Sequence, residues 1–344
     1  MAYRVTLKPS GHSYEVPEGH NVLQAGLEAG FMMPYSCRAG VCRTCRGTVL
    51  EGKVDYGMVH DTYLPEVDKA RGYALLCQAK PQSDLVIEVR EVEGVRPRII
   101  PCRVERLDKP APDVAVIGLR LPMNENFRFL AGQYIDLLLK DGKRRSYSLA
   151  TRPDPGGVTA LEIHVRHTPG GLFSDHVFAK LKVRDLLRFE GPLGSFYLRE
   201  DSDKPVVMVA SGTGFAPIKA ICLHAFEKGT SRPITLYWGC RTKRDLYELE
   251  LAQKWHHPGF KLVPVLSDPT PECQWTGRTG FVHRAVMQDF PDMSGVQVYA
   301  CGAPVMVDAA RRDFSVQCSL PADEFFADSF LTEADKAPAA AAAS

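Results

Sequence analysis

The sequence predicts a multidomain chain in which a small mixed domain, an antiparallel β-barrel and an α/β domain with a parallel sheet follow one another. Three cysteines are clustered in residues 35–47, short strands separated by Gly and Pro turns fill residues 99–200, and strands alternate with helices from residue 201 onward. A chain of 344 residues is also longer than one hydrophobic core usually organises. We therefore expect three domains.

The predicted boundaries follow these changes of pattern. They place a first domain at 1–93, a linker at 94–98, the barrel at 99–200, the third domain at 201–334 and a disordered tail at 335–344. The linker mixes charges with Gly and Pro, and the tail is low in complexity.

The bulk composition argues against two classes of protein. A net charge of +1 shows no basic excess that would indicate a nucleic-acid partner. No apolar run approaches the roughly 20 residues of a membrane helix, and the start, MAYRVTLKPSGHSYEV, alternates like a strand rather than resembling a signal peptide. Ten cysteines in this context fit a reducing compartment. We expect a cytoplasmic protein that is monomeric on its own and has no membrane or nucleic-acid partner.

The stretch YSCRAGVCRTCRG has the spacing of a metal centre. It contains Cys37, Cys42 and Cys45, and the best candidate for a fourth ligand is Cys77 in LLCQAKP. Zinc sites usually combine two short cysteine pairs, whereas this three-plus-one spacing is typical of a plant-type [2Fe–2S] cluster. A zinc site and buried free thiols remain as alternatives.

The residues between the cysteines suggest how the loop would stabilise a cluster and how it would meet an acceptor. Ala39 and Gly40 are small enough for backbone N–H groups to approach the sulfides. Arg38, Arg43 and Arg46 lie in or beside the loop. They indicate either a surface that docks an acceptor rich in carboxylates, or internal ion pairs and solvation of the loop.

The barrel segment is locally basic. Residues 95–200 contain 18 Lys and Arg against 12 Asp and Glu, a net charge of +6. This charge suits an anionic ligand. The phrase KRRSYSLAT within it is either part of that binding site or a strand with surface arginines.

The third domain begins with a strand, a glycine turn and a helix. KPVVMVA predicts a buried strand, SGTGFAP a turn and IKAICLHAFEKG an amphipathic helix. Such a turn can hold a pyrophosphate at the helix amino terminus. Cys301 and Gly302 end a later strand, at the edge where open α/β sheets bind ligands. We interpret the remaining cysteines as structural: 102, 222, 240, 273 and 318.

Taken in order, these motifs resemble the iron–sulfur flavoprotein reductases of the ferredoxin-reductase superfamily over nearly the whole chain. Residues 1–93 are similar to the ferredoxin β-grasp domain, although Arg43 stands where that family often has a small residue. FLAGQYIDLLL, KRRSYSLAT and LEIHVRHTPGGLFSDHVF resemble the family's Greek-key FAD barrel. SGTGFAP resembles the G-T-G-x-A-P turn of its Rossmann-like NAD(P)-binding domain.

The resemblance implies roles for individual residues. Arg145 would neutralise the FAD diphosphate, Tyr147 would cover the flavin ring, and Ser148 and Cys301 would act where hydride is transferred. Phe326 in EFFADSF would either lie near the nicotinamide face of the flavin or pack the last strand. The complete implied cofactor-binding set is Arg145, Ser146, Tyr147, Ser148, His164, Val165, Arg166, Gly170, Gly171, Leu172, Ser174, Gly212, Thr213, Gly214, Ala216, Pro217, Cys301, Gly302 and Phe326.

The resemblance also implies a function. Electrons would pass from NAD(P)H through FAD and a [2Fe–2S] cluster to an external protein acceptor. GPLGSFYLREDSDKP, YWGCRTKRDLY and GRTGFVHRAV are most similar to CDP-6-deoxy-Δ3,4-glucoseen reductases, whose acceptor is a sugar dehydrase. Phenol hydroxylase and dioxygenase reductases share the plan, so an oxygenase component is the alternative acceptor. A redox-sensing module without turnover is a third hypothesis.

Charged residues after the second strand of the third domain bear on the choice of coenzyme. Arg241, Lys243 and Arg244 would favour the 2′-phosphate of NADPH, whereas Asp245 and Glu248 would repel it and could bind ribose hydroxyls. The carboxylates lead us to expect NADH.

Overall fold

The computed structural model describes residues 2–92 and 95–331, and the chain forms two compact units. One unit comprises the chain up to Arg96 together with the stretch from Asp328, and the other is Pro97–Ala327. The division at Arg96 lies inside the predicted linker. The predicted tail lies outside the described residues.

The first unit is built on a five-stranded mixed sheet in the order β2-β1-β7-β3-β5. Its elements in chain order are β1 (Tyr3–Lys8), β2 (Ser13–Val16), α1 (Val22–Glu28), β3 (Arg46–Glu51), β4 (Val54–Asp55), α2 (Glu66–Ala70), β5 (Tyr73–Leu75), β6 (Lys80–Pro81) and β7 (Leu85–Glu88). Strand β1 pairs antiparallel with β2 and parallel with β7, and α1 packs beside β2. This arrangement confirms the predicted β-grasp fold.

Local sequence signals account for these elements. Val5 and Leu7 alternate with more exposed residues along β1, so one face of the strand is buried. Asn21 caps α1 because its side chain accepts a hydrogen bond from the Gln24 N–H at 2.8 Å. The chain leaves the helix at Gly30, whose φ of +94° suits glycine.

The second unit begins with a six-stranded antiparallel sheet in the order β11-β10-β13-β8-β9-β12. Its elements are β8 (Arg98–Ala111), β9 (Val114–Arg120), β10 (Tyr134–Leu138), β11 (Arg144–Ser148), β12 (Ala160–Arg166), α3 (Leu172–Ala179) and β13 (Leu186–Leu193). Leu149, just after one edge strand, bridges Ile163 in the other, which closes the sheet around a core that includes Phe127, Phe173 and Phe189. The predicted barrel is confirmed.

A second six-stranded sheet follows in the order β17-β16-β15-β14-β18-β19, and it belongs to the same unit except for the last two residues of β19. Its elements are β14 (Val206–Ser211), α4 (Phe215–Glu227), β15 (Ile234–Cys240), α5 (Leu249–Gln253), β16 (Phe260–Leu266), β17 (Arg278–Thr279), α6 (Val282–Asp289), β18 (Gln297–Gly302), α7 (Pro304–Gln317) and β19 (Phe325–Ser329). Strands β14 to β18 pair in parallel. This sheet confirms the predicted Rossmann-like domain.

The strand order determines where a ligand can enter this sheet. The chain starts at β14, moves outward through β15, β16 and β17, and then returns to the other side of β14 with β18. The connections therefore diverge at the carboxyl ends of β14 and β18, which is the switch point where open α/β sheets bind ligands.

Candidate functional site

The four predicted cysteine ligands lie at one edge of the first sheet. Cys37 and Cys42 belong to the loop after α1, Cys45 directly precedes β3, and Cys77 follows β5. Strands β3 and β5 are antiparallel neighbours, and the Leu76 N–H donates to the Cys45 carbonyl at 2.9 Å. Pairing of these two strands therefore brings the distant Cys77 to the loop.

The thiols form two pairs. Cys37 donates to Cys42, which lowers the pKa of Cys42 to about 5 and raises the pKa of Cys37. In the second pair, Cys45 donates a hydrogen bond to Cys77. This bond lowers the pKa of Cys77 and raises the pKa of Cys45. Each pair has the two sulfur atoms that one iron of a [2Fe–2S] cluster requires.

The grouping of the thiols bears on the alternative of a zinc site. A tetrahedral zinc ion with Zn–S bonds near 2.3 Å would bring every two sulfurs to roughly 3.8 Å. Within residues 2–92 and 95–331, the one set of three or more potential ligand atoms lying within 4.8 Å of one another contains no cysteine. Two pairs of thiols are the arrangement that the two irons of a [2Fe–2S] cluster require.

The loop donates to its own sulfur atoms. The N–H groups of Ala39 and Cys42 point to Cys37 Sγ at 3.3 and 3.4 Å. Gln78 spans the opening of the loop, with its Nε2 at 3.2 Å from the Arg38 carbonyl and 3.9 Å from Cys77 Sγ. Such donors stabilise negative charge on thiolates.

Arginines in the cluster loop contact other side chains of the same unit. Arg43 Nη2 lies 2.7 Å from Asp68 Oδ2, and both side chains are largely buried. The backbone of Arg43 has a φ of +62°, a conformation that usually favours glycine. The Arg46 guanidinium lies 4.3 Å from the ring centre of Tyr73. The contact of Arg43 with Asp68 matches the alternative of an internal ion pair rather than that of a surface charge for docking an acceptor.

The predicted flavin motif occupies β11. Arg145 and Tyr147 alternate with Ser146 and Ser148 along the strand. Ser146 donates to Asp136 at 2.6 Å, and Ser148 is buried. The Tyr147 ring lies 5.4 Å from the ring of Phe173 in α3.

The Gly-Gly-x-x-Ser sequence at residues 170–174 forms the beginning of α3. Gly170 has a φ of +79°, Gly171 precedes the first helical residue Leu172, and the Ser174 hydroxyl donates to the Thr168 carbonyl at 2.9 Å. Because the Tyr147 ring packs on this helix, the barrel brings the two predicted flavin motifs together.

Three adjacent residues of β12 have different surroundings. Val165 is part of the barrel core. Both His164 ring nitrogens are engaged, with Tyr247 at 2.7 Å and Glu162 at 3.0 Å, so the ring contacts protein rather than an open site. The Arg166 guanidinium pairs with Asp113 at 2.9 Å, and also lies beside the glycine turn after β14. The cofactor binding expected of these three residues remains a prediction.

The glycine turn lies at the switch point of the parallel sheet. Residues Gly212–Gly214 form one 3₁₀ turn, and α4 begins immediately afterwards with Ala216 and Pro217 in its first turn. The backbone of Gly214 lies so close to Cys301 that an added Cβ would overlap the Cys301 carbonyl oxygen.

The carboxyl end of β18, which faces this turn, is packed just as closely against its neighbour. Gly302 has a φ of +132°, and a Cβ there would overlap Ser211. The Ser211 hydroxyl also accepts from the Ala303 N–H at 2.9 Å. The side chain of Cys301 is fully buried. The two strand ends therefore form one compact backbone surface, and Thr213 is buried within it.

Phe326 packs against protein side chains. Its ring stacks on Tyr299 with centres 4.8 Å apart, and the Arg199 guanidinium lies 4.9 Å from the Phe326 ring centre. These contacts match packing of the last strand, and a flavin contact remains a prediction.

The carboxylates that led to the NADH expectation are both engaged within the protein. Asp245 accepts from the Thr242 N–H and hydroxyl, each at 2.9 Å, in a capping box. Glu248 binds Lys219 through both of its oxygens. These two residues therefore give no support to a preference for NADH.

The sequence interpretation missed a buried charged network at the junction of the barrel and the parallel-sheet domain. Its members are Glu162, His164, Lys219, Tyr247 and Glu248. Several of them lie in segments that the sequence had singled out for other roles, but their mutual contacts have no sequence signal, and only the fold brings them together.

Comparisons with known proteins agree with this geometry. A 2Fe-2S iron-sulfur cluster binding domain matches residues 5–82, an oxidoreductase FAD-binding domain matches residues 101–197, and an oxidoreductase NAD-binding domain matches residues 208–312. The protein is therefore an iron–sulfur flavoprotein oxidoreductase that uses a [2Fe–2S] cluster, FAD and a nicotinamide coenzyme.

Full-length relatives define the family. The CDP-6-deoxy-L-threo-D-glycero-4-hexulose-3-dehydrase reductase of Yersinia pseudotuberculosis is 39% identical over 336 residues, covering 96% of this chain and 99% of the relative. The phenol hydroxylase P5 protein of Acinetobacter pittii is 34% identical, covering 98% and 97% of the two chains. The crystal structure of the Amycolatopsis cytochrome P450 reductase GcoB matches with a TM-score of 0.75 at 35% identity, covering 95% and 98%. The chain belongs to the family of three-domain iron–sulfur flavoprotein reductases, which are electron-transfer enzymes.

A membrane-spanning helix needs roughly 20 predominantly apolar residues. In the described part of the chain, every helix is too short or too polar to cross a bilayer.

The pairing of Cys77 with Cys45 gives the first prediction. Cys77→Ser removes one thiolate of a pair, so purified protein should lose most of the roughly two irons per chain of one [2Fe–2S] centre. Iron analysis and the EPR signal after dithionite reduction measure the loss. FAD should remain bound. Cys273→Ser, a half-buried cysteine remote in sequence from the loop, serves as the control and should retain full iron. Full iron in Cys77→Ser would reject the choice of fourth ligand.

The Arg43–Asp68 pair gives the second prediction. Asp68→Asn removes the charge that holds a loop residue in a left-handed conformation, and should destabilise the folded loop by about 1 kcal/mol. Iron release to a chelator should therefore be faster than in the wild type. Asp61→Asn, an exposed carboxylate in the same segment, is the matched control. Equal release rates for Asp68→Asn and the wild type would show that the pair does not support the loop.

The tight contact at Gly302 gives the third prediction. Gly302→Ala places a methyl group against Ser211 in a backbone conformation that disfavours alanine, so the two strand ends must separate. We expect NADH to bind at least about tenfold more weakly, which corresponds to about 1.4 kcal/mol. Titration with NADH measures this effect, while iron and FAD contents should be unchanged. Gly295→Ala, at a position with open space around it, should bind NADH normally. Normal binding by Gly302→Ala would contradict the prediction.

Proposed function

We propose that this reductase passes electrons from NAD(P)H through FAD and the [2Fe–2S] cluster to a protein acceptor, and that the acceptor is a dehydrase acting on a CDP-hexulose. The observation that carries the proposal is the 39% identity with a hexulose-3-dehydrase reductase over 99% of that relative's length. All three cofactor domains are included in this match, so it concerns the whole electron path.

The arrangement of domains suits the chemistry of the proposed path. A bound flavin accepts two electrons together as hydride and gives them up singly, which is what a one-electron cluster requires. In this proposal the domains at 1–93, 99–200 and 201–334 carry the cluster, FAD and the coenzyme. The protein would be a cytoplasmic monomer that meets its acceptor transiently.

The predicted site residues have defined tasks in this proposal. Arg145 binds the FAD diphosphate together with the N–H groups at the start of α3, and Tyr147 packs on the flavin ring. Ser148 hydrogen-bonds the reactive edge of the flavin. The turn from Gly212 to Gly214 binds the coenzyme pyrophosphate, and Cys301 shapes the pocket for the nicotinamide.

A second candidate acceptor is supported by the comparisons. The phenol hydroxylase P5 protein is 34% identical along almost all of both chains, and GcoB is described as a cytochrome P450 reductase. An oxygenase component is therefore the alternative acceptor. A redox-sensing module without turnover is the alternative from another class.

Reconstitution with purified acceptors tests the proposal. With NADH or NADPH, the wild type should reduce ferricyanide, which excludes the sensing module. It should also support 3-deoxygenation by a purified CDP-hexulose dehydrase. Cys77→Ser should retain ferricyanide reduction, which needs only the flavin, and lose the dehydrase-coupled reaction. Coupling to a phenol hydroxylase or P450 component, without coupling to the dehydrase, would replace the proposed acceptor by an oxygenase.

A further inference from the structure

A buried ion network joins a strand of the barrel to the first helix of the nucleotide-binding domain. The Lys219 ammonium on α4 lies 2.8 Å from Glu162 Oε1 on β12, and 2.8 and 3.1 Å from the two oxygens of Glu248. The Lys219 side chain is only 9% exposed. Together these contacts satisfy an ammonium group that is almost completely removed from water.

The network is not an unused metal site. Possible ligand atoms of Glu162, His164 and Glu248 lie within 4.8 Å of one another, as in a metal centre. The Lys219 ammonium, however, makes short contacts with both carboxylates. A lysine therefore supplies the positive charge that a cation would otherwise bring.

The network also reaches the glycine turn. His164 bonds to the Tyr247 hydroxyl at 2.7 Å, and the Tyr247 ring meets the edge of Trp238 with centres 5.4 Å apart. Trp238 Nε1 donates to the Gly212 carbonyl at 3.0 Å. Side chains therefore connect β12 continuously with the turn that precedes α4.

Lys219 connects segments that are proposed to bind two different cofactors. Strand β12 leads into the motif proposed to bind FAD, and α4 begins at the turn proposed to bind the coenzyme. Glu248 directly precedes α5, so three segments meet at one ammonium. Buried ion pairs add little net stability compared with apolar packing, but their geometry is specific.

We propose that Lys219 is a positioning residue that holds the coenzyme turn at a fixed place relative to the flavin strand. This inference rests on the proposed function, because it concerns the separation across which hydride is transferred. A displacement of about 1 Å can slow such a transfer by about 100-fold. Lys219 acts through Glu162 and Glu248, and does not itself contact the reacting atoms.

The experiment uses full-length holoprotein and compares variants of the network with a control pair. Lys219→Met leaves Glu248 without its ammonium partner, whereas Glu162 keeps an ion pair with Arg106. A second variant therefore combines Lys219→Met with Glu162→Gln and Glu248→Gln. Lys219→Arg tests whether a positive charge restores the geometry. Lys204→Met is the matched control, because Lys204 pairs with Glu324 at 2.5 Å in the same unit, away from β12.

Four quantities are measured under anaerobic conditions: FAD content, melting temperature, NADH dissociation constant and the limiting rate of flavin reduction at saturating NADH. The long-wavelength absorbance of the nicotinamide–flavin complex reports their stacking independently of turnover. The triple variant should keep FAD and bind NADH within about threefold of the wild type, while its limiting rate falls by about tenfold to 100-fold. Its long-wavelength absorbance should also weaken, Lys219→Arg should recover part of both signals, and Lys204→Met should match the wild type.

Each outcome decides the proposal. A limiting rate within about twofold of the wild type in the triple variant would overturn it. Loss of FAD or unfolding of the triple variant would also overturn it, because the network would then be structural. If the wild type itself were not reduced by NADH or NADPH, the proposed function would fail instead, so the two failures are distinguishable.

Discussion

The nucleotide-binding half of this protein depends on the close approach of two strand ends. The backbone of Gly214 lies against the Cys301 carbonyl, and Gly302 lies against Ser211, with no space for a side chain at either glycine. This contact places the amino terminus of α4 at the switch point, from which the helix packs against β14 and β18. The positions of the turn and of α4, with the side chains that α4 carries, therefore depend on these glycines.

An ion network connects the barrel with this turn, beside the ring contact of Tyr247 with Trp238. Lys219 binds carboxylates from two other segments, and its surroundings leave it little exposed. An apolar contact would tolerate small rotations, whereas hydrogen bonds to an ammonium restrict both distance and direction. Such a connection suits an enzyme in which two bound cofactors must face each other at a constant separation.

In the cluster loop, too, an ion pair holds a functional segment in place. Three of the four thiols lie in one short loop, and Arg43, between Cys42 and Cys45, has a left-handed conformation there. A glycine would adopt that conformation without strain. Here the ion pair with Asp68 anchors the arginine, so the loop is fastened to α2 by its side chain.

The sequence by itself determined the domain order, the cysteine cluster and the glycine turn before α4, because spacing, turn residues and hydrophobic period are local signals. It placed the start of the following helix at Ile218, whereas α4 begins at Phe215. It did not reveal that Arg43 meets Asp68, 25 residues away, or that Glu162 meets Lys219, 57 residues away. It also suggested ribose binding for Glu248, which the structure joins to Lys219. Only the tertiary structure decided these partners, since a charged side chain shows its sign in the sequence, whereas its partner depends on which strands and helices become neighbours.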